Sequence, residues 1–205
     1  MSLRLPWARP AEAGDPYWDF FVNTPAADPR NQVNNAIRAA KPGAVFPIKT
    51  ELHSPEITAA HVKELGRFFR AGDLGIVRLA GADEDPFAIV CVLRAEYDPR
   101  TALGHGGQAP VSQGLFVMFN IAAIIREWGY RAATTPDFDG VRLAAAAGLG
   151  SLGPDGRLVT RRFGAQTYVA DVIRTDLPLA ADGTFPLPLG EGRTSVPSPS
   201  GRGLG

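Results

Sequence analysis

The chain has 205 residues, of which 45% are hydrophobic and 20% charged, a composition that suits one domain with an adequate core. Lys+Arg and Asp+Glu both number 21, so no net field draws the chain to nucleic acid or to an anionic membrane. No apolar run reaches the length of a membrane span or of a signal peptide, and we therefore expect a cytoplasmic protein.

The first part of the chain predicts an arm followed by two helices. Residues 1–27 mix prolines with aromatic side chains, which favours an irregular arm that packs through its aromatics. A single domain is expected over residues 28–189. Its first helices, Asp28–Ala40 and Ser54–Ala71, each begin with an N-cap residue followed by proline.

The middle of the chain alternates strands with a long helix. Leu74–Leu79 is a short strand candidate, and Phe87–Leu93 is apolar on both faces, as is typical of a strand that is covered on both sides. A polar loop over residues 94–110 leads to a helix at Val111–Trp128, whose wide apolar stripe indicates a central position. Tyr130–Ala133 is then predicted to return as a strand.

The last part of the domain is glycine-rich. An alanine-rich helix, with Asp139 as its expected N-cap, should end at Gly148, the C′ position where glycine is favoured. Pro154–Gly156 predicts a tight turn. Arg157–Thr160 and Tyr168–Thr175 are then expected to form a hairpin.

The order of elements predicts an α+β fold with helices packed on a mostly antiparallel or mixed sheet. Residues 190–205 have no apolar periodicity and are rich in Ser, Pro and Gly, so we expect a disordered tail.

A G-x-G-x-x-G spacing occurs at Gly148, Gly150 and Gly153. The dinucleotide-binding fingerprint needs a strand before these glycines and a helix after them. Here a helix comes first and a turn and strand follow, so the spacing predicts exposed backbone and not a dinucleotide site.

The sequence offers little for a protein-bound metal. Cys91 is the single cysteine and lies in an apolar strand, which predicts a buried, unreactive thiol. His53, His61 and His105 lack the paired spacing of zinc ligands, so no metal site is expected.

Several polar residues near the glycine-rich segment have competing interpretations. For Asp137 and Asp139 a cap or Asx-turn is preferred over catalysis. Tyr130 follows a helix end, where a core aromatic is usual and a phenol that donates a proton into a cleft is the alternative. Asp171 is expected to face outward or to pair with an arginine, and Asp176 to accept bonds from turn amides.

Four segments together resemble the corrinoid-binding region of reductive dehalogenases and of their relative, epoxyqueuosine reductase. They are Ala147–Gly153, Gly156–Thr160, Phe163–Gly164 and Thr175–Leu179. In that superfamily a glycine-rich segment leads into a hairpin and ends in the sequence TDLPL. A weaker resemblance extends upstream, so that the whole covers residues 54–179.

The resemblance implies a nitroreductase-like mixed sheet flanked by helices that binds cobalamin base-off, without a protein histidine ligand. It implies that Tyr130, Asp137 or Asp139 donates the proton in a reductive dehalogenation. It also assigns the cofactor contacts to Gly148, Leu149, Gly150, Ser151, Leu152, Gly153, Phe163 and Gly164.

Members of that superfamily continue past this region into cysteine-rich runs that bind iron–sulfur clusters, each with about four thiolates. This sequence has no cysteine after Cys91, so we expect no cluster and a dependence on an external electron-donor protein. The first alternative is a non-catalytic corrinoid carrier or a truncated remnant. The second is a flavin-dependent nitroreductase-type oxidoreductase, whose early R-x-S-x-R stretch the sequence lacks.

Overall fold

The computed structural model describes residues 15–28, 33–82, 84–135 and 138–187. In these ranges the helices are α1 Pro16–Asn23, α2 Val33–Ala39, α3 Pro55–Phe68, α4 Ala109–Glu127 and α5 Gly140–Ala146. The strands are β1 Asp73–Ala80, β2 Phe87–Arg94, β3 Ala132–Thr135, β4 Gly150–Leu152, β5 Leu158–Thr160, β6 Thr167–Val169, β7 Val172–Thr175 and β8 Gly183–Pro186.

Six of these strands form one mixed sheet in the order β3-β7-β2-β1-β8, with β6 paired to β2 beyond the end of β7. Strand β1 runs antiparallel to β2 and parallel to β8. The predicted α+β fold, a mixed sheet flanked by helices, is confirmed.

Strand β2 is the centre of the molecule because both of its faces are buried. Phe87, Ile89 and Cys91 point into a core that also contains the apolar faces of α3 and α4. Ala88 and Val90 alternate with them and point into a second core formed with α5. The period of two along a strand thus divides one apolar run between two helical layers.

The predicted helix boundaries are largely confirmed. The Ser54 hydroxyl accepts a bond from the Ile57 amide at 3.4 Å, and the Asp139 carboxylate accepts one from the Arg142 amide at 3.1 Å. Gly129, which follows α4, has a φ of +82°. The expected start of α2 lies partly outside the described residues.

The predicted hairpin between Arg157–Thr160 and Tyr168–Thr175 is wrong. β5 pairs with β4, whereas β6 and β7 lie one after the other along the same edge of β2. Tyr168–Thr175 does contain strand residues, as predicted, but β2 is a longer and more apolar partner than β5. The break at Ala170 and Asp171 divides the predicted strand into two.

Three elements were not expected. Helix α1 lies in the segment predicted to be an irregular arm, and the Asp15 carboxylate caps it by accepting a bond from the Tyr17 amide at 2.9 Å. β4 lies in the glycine-rich segment, for which exposed backbone and no strand was predicted, and β8 was not predicted. The tail expected at residues 190–205 lies outside the described residues.

Among the described residues, α4 is the one helix that is long and apolar enough to cross a membrane, with a mean hydropathy of 1.4. It packs against the sheet, however, and Val117, Met118, Ile121 and Ile125 are fully buried. A helix of this composition is therefore explained by its place in the core.

Candidate functional site

A groove of about 760 Å³ lies at the edge of the sheet where β1 begins and β2 ends. Asp73 and Val92, which pair across these two strands, contribute to its floor. The rest of its lining comes from the glycine-rich segment and the turn after β5: Gly148, Leu149, Gly150, Ser151, Val159, Thr160, Arg161, Arg162 and Phe163.

Gly148 presents bare backbone at this groove. The amides of Gly148 and Leu149 each donate at 3.0 Å, to the carbonyls of Ala145 and Ala144, which is the hydrogen-bond pattern of a Schellman motif. Gly148 has a φ of +73°, and a Cβ placed on it would meet no atom within 4 Å. The left-handed turn that ends α5 therefore leaves an open space beside its backbone.

The outer edge of β4 also presents backbone groups. Thr160 and Gly164 exchange both of their backbone hydrogen bonds, so the polar groups of Thr160 point away from β4. Because Gly150 pairs with Thr160, and Leu152 with Leu158, the N–H and C=O groups of Gly150 and Leu152 point away from β5. No described strand pairs with this edge.

Gly150 is required by the pairing of β4 with β5. A Cβ on Gly150 would lie 2.5 Å from the Val159 carbonyl oxygen, a distance that side chains do not tolerate. Its φ is not in the left-handed region. Gly148 and Gly150 thus have different physical reasons for being glycine.

Phe163 forms a wall of the groove. A Cβ on Gly72 would lie 2.5 Å from the Phe163 ring, so the ring packs directly on the backbone before β1. The Arg162 guanidinium lies 5.1 Å from the centroid of the same ring and donates to the Gly72 carbonyl. These contacts fix the ring at the end of the groove.

The mouth of the groove is positively charged. Arg161 and Arg162 are both exposed, and neither forms an ion pair with a carboxylate of the described ranges. Asp73 is the carboxylate of the lining, and one of its oxygens accepts a bond from the Leu74 amide at 2.9 Å. An anionic group entering the mouth would therefore meet two guanidinium groups that lack carboxylate partners.

A charged link ties the β4–β5 hairpin to the loop after β2. Asp98 lies 3.0 Å from the Arg157 guanidinium, and it also bonds to Arg100 at 2.9 Å. The hydrogen bonds from Arg100 lower the pKa of the Asp98 carboxyl to about 2, with Arg157 adding a smaller effect. Asp98 is therefore ionised across the physiological range.

The structure brings together five of the eight predicted cofactor residues: Gly148, Leu149, Gly150, Ser151 and Phe163. Leu152, Gly153 and Gly164 do not line the groove. They shape the hairpin instead, since Gly153 closes its turn by donating to the Arg157 carbonyl at 2.8 Å and Gly164 pairs with Thr160.

The predicted proton donors are not brought to the groove. Tyr130 is buried in the core on the α4 side, near the Phe87 end of β2, whereas the groove lies at the opposite end of that strand. Asp139 caps the start of α5, and the groove lies at the end of that helix. Asp137 lies outside the described residues.

Other polar predictions can be located directly. Asp171 lies 3.6 Å from the Arg38 guanidinium, as expected. Asp176 was predicted to accept bonds from the amides of its own turn, but it accepts one at 2.6 Å from the Arg131 amide, which is distant in sequence. Cys91 is fully buried, and burial raises the pKa of its thiol to about 12, with Asp73 adding to the effect.

Sequence reasoning missed the residues that come from outside the glycine-rich segment, Asp73 and Val92, because only the folded sheet brings them to it. It also missed Val159, Thr160, Arg161 and Arg162 as lining residues. The sequence feature that pointed to Arg161 and Arg162 is their position as adjacent arginines directly after a short strand.

No family model matches the chain. The tetrachloroethene reductive dehalogenase of Desulfitobacterium hafniense is 37% identical over 101 residues, which cover 46% of this chain and 18% of that protein. The enzyme of the same name from Dehalobacter restrictus is 38% identical over 101 residues, with the same coverage.

Solved structures show the same fold. The catabolic reductive dehalogenase NpRdhA in complex with 3-bromo-4-hydroxybenzoic acid superposes with a TM-score of 0.60 at 24% identity, covering 74% of this chain and 24% of that chain. A reductive dehalogenase whose structure suggests a mechanism for B12-dependent dehalogenation superposes with a TM-score of 0.58 at 19% identity, covering 74% of this chain and 26% of that one.

This chain is therefore homologous to reductive dehalogenases over about half of its length and shares their fold over about three quarters of it. It spans less than a fifth of the length of the curated relatives that it matches.

Proposed function

We propose that this chain is a corrinoid-binding domain of the reductive dehalogenase type, and that the groove beside Gly148 holds the corrinoid. The observation that carries the proposal is the open backbone at Gly148 and along the outer edge of β4, next to an apolar wall. The likeness to reductive dehalogenases over 46% of the chain supports it.

The lining fits the chemistry of a corrinoid. A corrin is a broad, nearly flat ring with amide groups at its periphery, so its site needs an apolar floor and backbone donors and acceptors at its rim. Val92, Leu149 and Phe163 supply apolar surface, and Gly150 offers a backbone N–H and C=O that point away from β5. The lining among described residues has no imidazole or thiol, which is compatible with base-off binding without a protein ligand.

When bound, the corrinoid would supply the redox-active cobalt centre at which a carbon–halogen bond is reduced. The chain's residues would orient the macrocycle, and Phe163 would exclude water from one end of it. Electrons would come from a donor outside residues 1–205, since these residues include a single cysteine and cannot hold an iron–sulfur cluster.

A non-catalytic corrinoid carrier is the second candidate, favoured by one observation. Neither Tyr130 nor Asp139 reaches the groove, and Asp73 is the one carboxylate in the lining among the residues described. A carrier of this kind needs the same groove but no proton donor beside it.

Titration of the purified chain with hydroxocobalamin and, separately, with FMN tests the proposal, followed by visible absorption and equilibrium dialysis. We expect saturable binding of the corrinoid and none of the flavin. Absence of corrinoid binding would contradict the proposal, and binding of FMN in its place would favour a flavoprotein.

The substitution Val159→Trp tests whether the corrinoid binds in this groove. Val159 lines the groove from the exposed face of β5, so an indole there should obstruct the macrocycle and weaken corrinoid binding at least about tenfold. Thr184→Trp is the matched control, because Thr184 is an exposed strand residue of β8 outside the groove. Equal binding by the two variants would place the corrinoid elsewhere.

A further inference from the structure

The β4–β5 hairpin is a wall of the groove that does not belong to the main sheet. Gly150, Ser151 and Val159 line the groove from this hairpin. Its two strands have three residues each and form a separate two-stranded sheet. A two-stranded hairpin is marginally stable by itself. Contacts with the rest of the molecule therefore decide where this wall stands.

The end of the hairpin nearest the main sheet is fixed by side chains of β5. Leu158 is buried in the core that contains α5. The Thr160 hydroxyl lies 2.9 Å from the hydroxyl of Thr167 in β6, and it accepts a bond from the Phe163 amide at 3.0 Å. The turn at the other end is different, because residues 154–157 are all exposed.

An ion pair holds this exposed turn. The Arg157 guanidinium lies 3.0 Å from the Asp98 carboxylate, a contact that we call the Asp98–Arg157 bridge. In the described ranges it is the only ion pair between the hairpin and another part of the chain. Asp155 orients the arginine, since its carboxylate lies 3.2 Å from the guanidinium and accepts a bond from the Arg157 amide at 3.1 Å. Less side-chain entropy is then lost when the bridge forms.

The other side of the bridge is a well-fixed loop. The Asp98 carboxylate accepts bonds from the Arg100 amide at 3.1 Å and guanidinium at 2.9 Å, and the Asp98 carbonyl accepts one from the Ala102 amide at 2.8 Å. The side-chain amide of Gln108 donates to the carbonyls of Pro99 and Ala102 at 2.7 and 3.0 Å. Gln108 is the N-cap residue of α4. The bridge therefore connects the hairpin turn to the central helix.

The bridge acts on the face of β5 that lines the groove. Arg157 and Val159 are two residues apart in extended chain, so their side chains leave on the same face, opposite to Leu158. Val159 lines the groove, whereas neither Asp98 nor Arg157 does. A displacement of the turn would therefore move Val159 relative to the floor of the groove at Val92.

We propose that Asp98 and Arg157 are positioning residues for the groove: their bridge holds the hairpin against a bound corrinoid and slows its dissociation. The ligand in this inference rests on the proposed function. The effect on the hairpin does not, because it can be measured on the chain alone.

Dissociation of hydroxocobalamin from the loaded chain tests the positioning role. The complex is diluted, and the corrinoid that remains bound is measured over time by rapid gel filtration. Arg157→Gln should raise the dissociation rate at least about threefold, and Arg157→Lys, which keeps the charge, should recover part of the difference. The double variant with Asp98→Asn should dissociate no faster than Asp98→Asn alone, because both changes remove one contact.

Arg100→Gln is the matched control for this series. It removes the other guanidinium from Asp98 and leaves the Asp98–Arg157 bridge in place, and Arg100 is outside the groove lining. This variant should release hydroxocobalamin close to the parent rate.

Hydrogen–deuterium exchange without corrinoid distinguishes local positioning from general stability. The Gly153 amide donates to the Arg157 carbonyl at 2.8 Å across the turn. In Arg157→Gln it should exchange at least about threefold faster, while the amides of β2 remain as in the parent. A role in overall stability would speed the exchange of both.

Release of hydroxocobalamin by Arg157→Gln at the parent rate would overturn the inference, as would additive effects in the double variant or faster exchange throughout the sheet. A parent chain that binds no hydroxocobalamin is instead a failure of the proposed function. In that case the exchange of the Gly153 amide alone supports or overturns the role of the bridge in holding the hairpin.

Discussion

Replacing Gly150 with alanine should destabilise the protein more than the same change at Gly148, although both glycines line the same groove. At Gly150 the added Cβ would lie 2.5 Å from the Val159 carbonyl oxygen. That atom belongs to the backbone of the paired strand, so relief requires β4 and β5 to separate. At Gly148 the Cβ meets no atom within 4 Å, and the change adds only the strain of a φ of +73°.

These contacts set the expected magnitudes. A residue that has a Cβ loses about 1 kcal/mol of stability when its backbone adopts the left-handed conformation. A steric conflict in a packed region that must be relieved by a backbone shift costs about 1–3 kcal/mol. For a domain of this size, about 1 kcal/mol corresponds to about 2–4 °C in melting temperature. We therefore expect a loss of about 2–4 °C for Gly148→Ala and up to about 12 °C for Gly150→Ala.

Thermal and urea denaturation followed by circular dichroism would measure both variants. Gly81→Ala is the control, because Gly81 also has a positive φ, +86°, and open space around its Cβ, but lies outside the groove. Gly81→Ala and Gly148→Ala should be similarly destabilised. A neutral Gly150→Ala, or one less destabilised than Gly148→Ala, would refute the steric explanation.

Three further predictions concern the core, the cap of α5 and the thiol. Leu158→Ala should lower the free energy of unfolding by about 2–4 kcal/mol in urea denaturation, because Leu158 is buried and packs β5 against the core that contains α5. A smaller loss than the same substitution produces at an exposed leucine would contradict this. Asp139→Asn should melt like the parent, whereas Asp139→Ala should lose about 1 kcal/mol, since Asp139 caps α5; equal losses would argue against the cap. Cys91 should react with a disulfide reagent only after unfolding. Because burial raises its folded pKa to about 12, from 9.0, the neutral thiol stabilises the fold below about pH 9, and that contribution falls as pH rises further. Reaction of the native chain at the rate of a free thiol would rule this out.

Local signals in the sequence predicted much of the fold. Ser54 and Asp139 were identified as N-caps, and Gly148 as the end of α5, because each depends on chemistry within a few residues. The apolar run at β2 likewise indicated a strand buried on both faces.

What the sequence did not reveal depends on contacts between distant segments. β5 and Tyr168–Thr175 are close in sequence, but the second segment pairs with β2 because that long apolar strand offers more area to bury. The same limit applies to the groove beside Gly148. Asp73 reaches it only through the pairing of β1 with β2.

Hydrogen–deuterium exchange, with and without hydroxocobalamin, tests the central claim most directly. The amides of Gly150 and Leu152 point away from β5 along an edge to which no described strand pairs, so they should exchange quickly in the chain alone. The account predicts that a bound corrinoid slows exchange of the Gly150 amide, which lines the groove, and leaves the amides of β8 unchanged. Corrinoid binding without protection at Gly150, or with protection only in a distant segment, would contradict it.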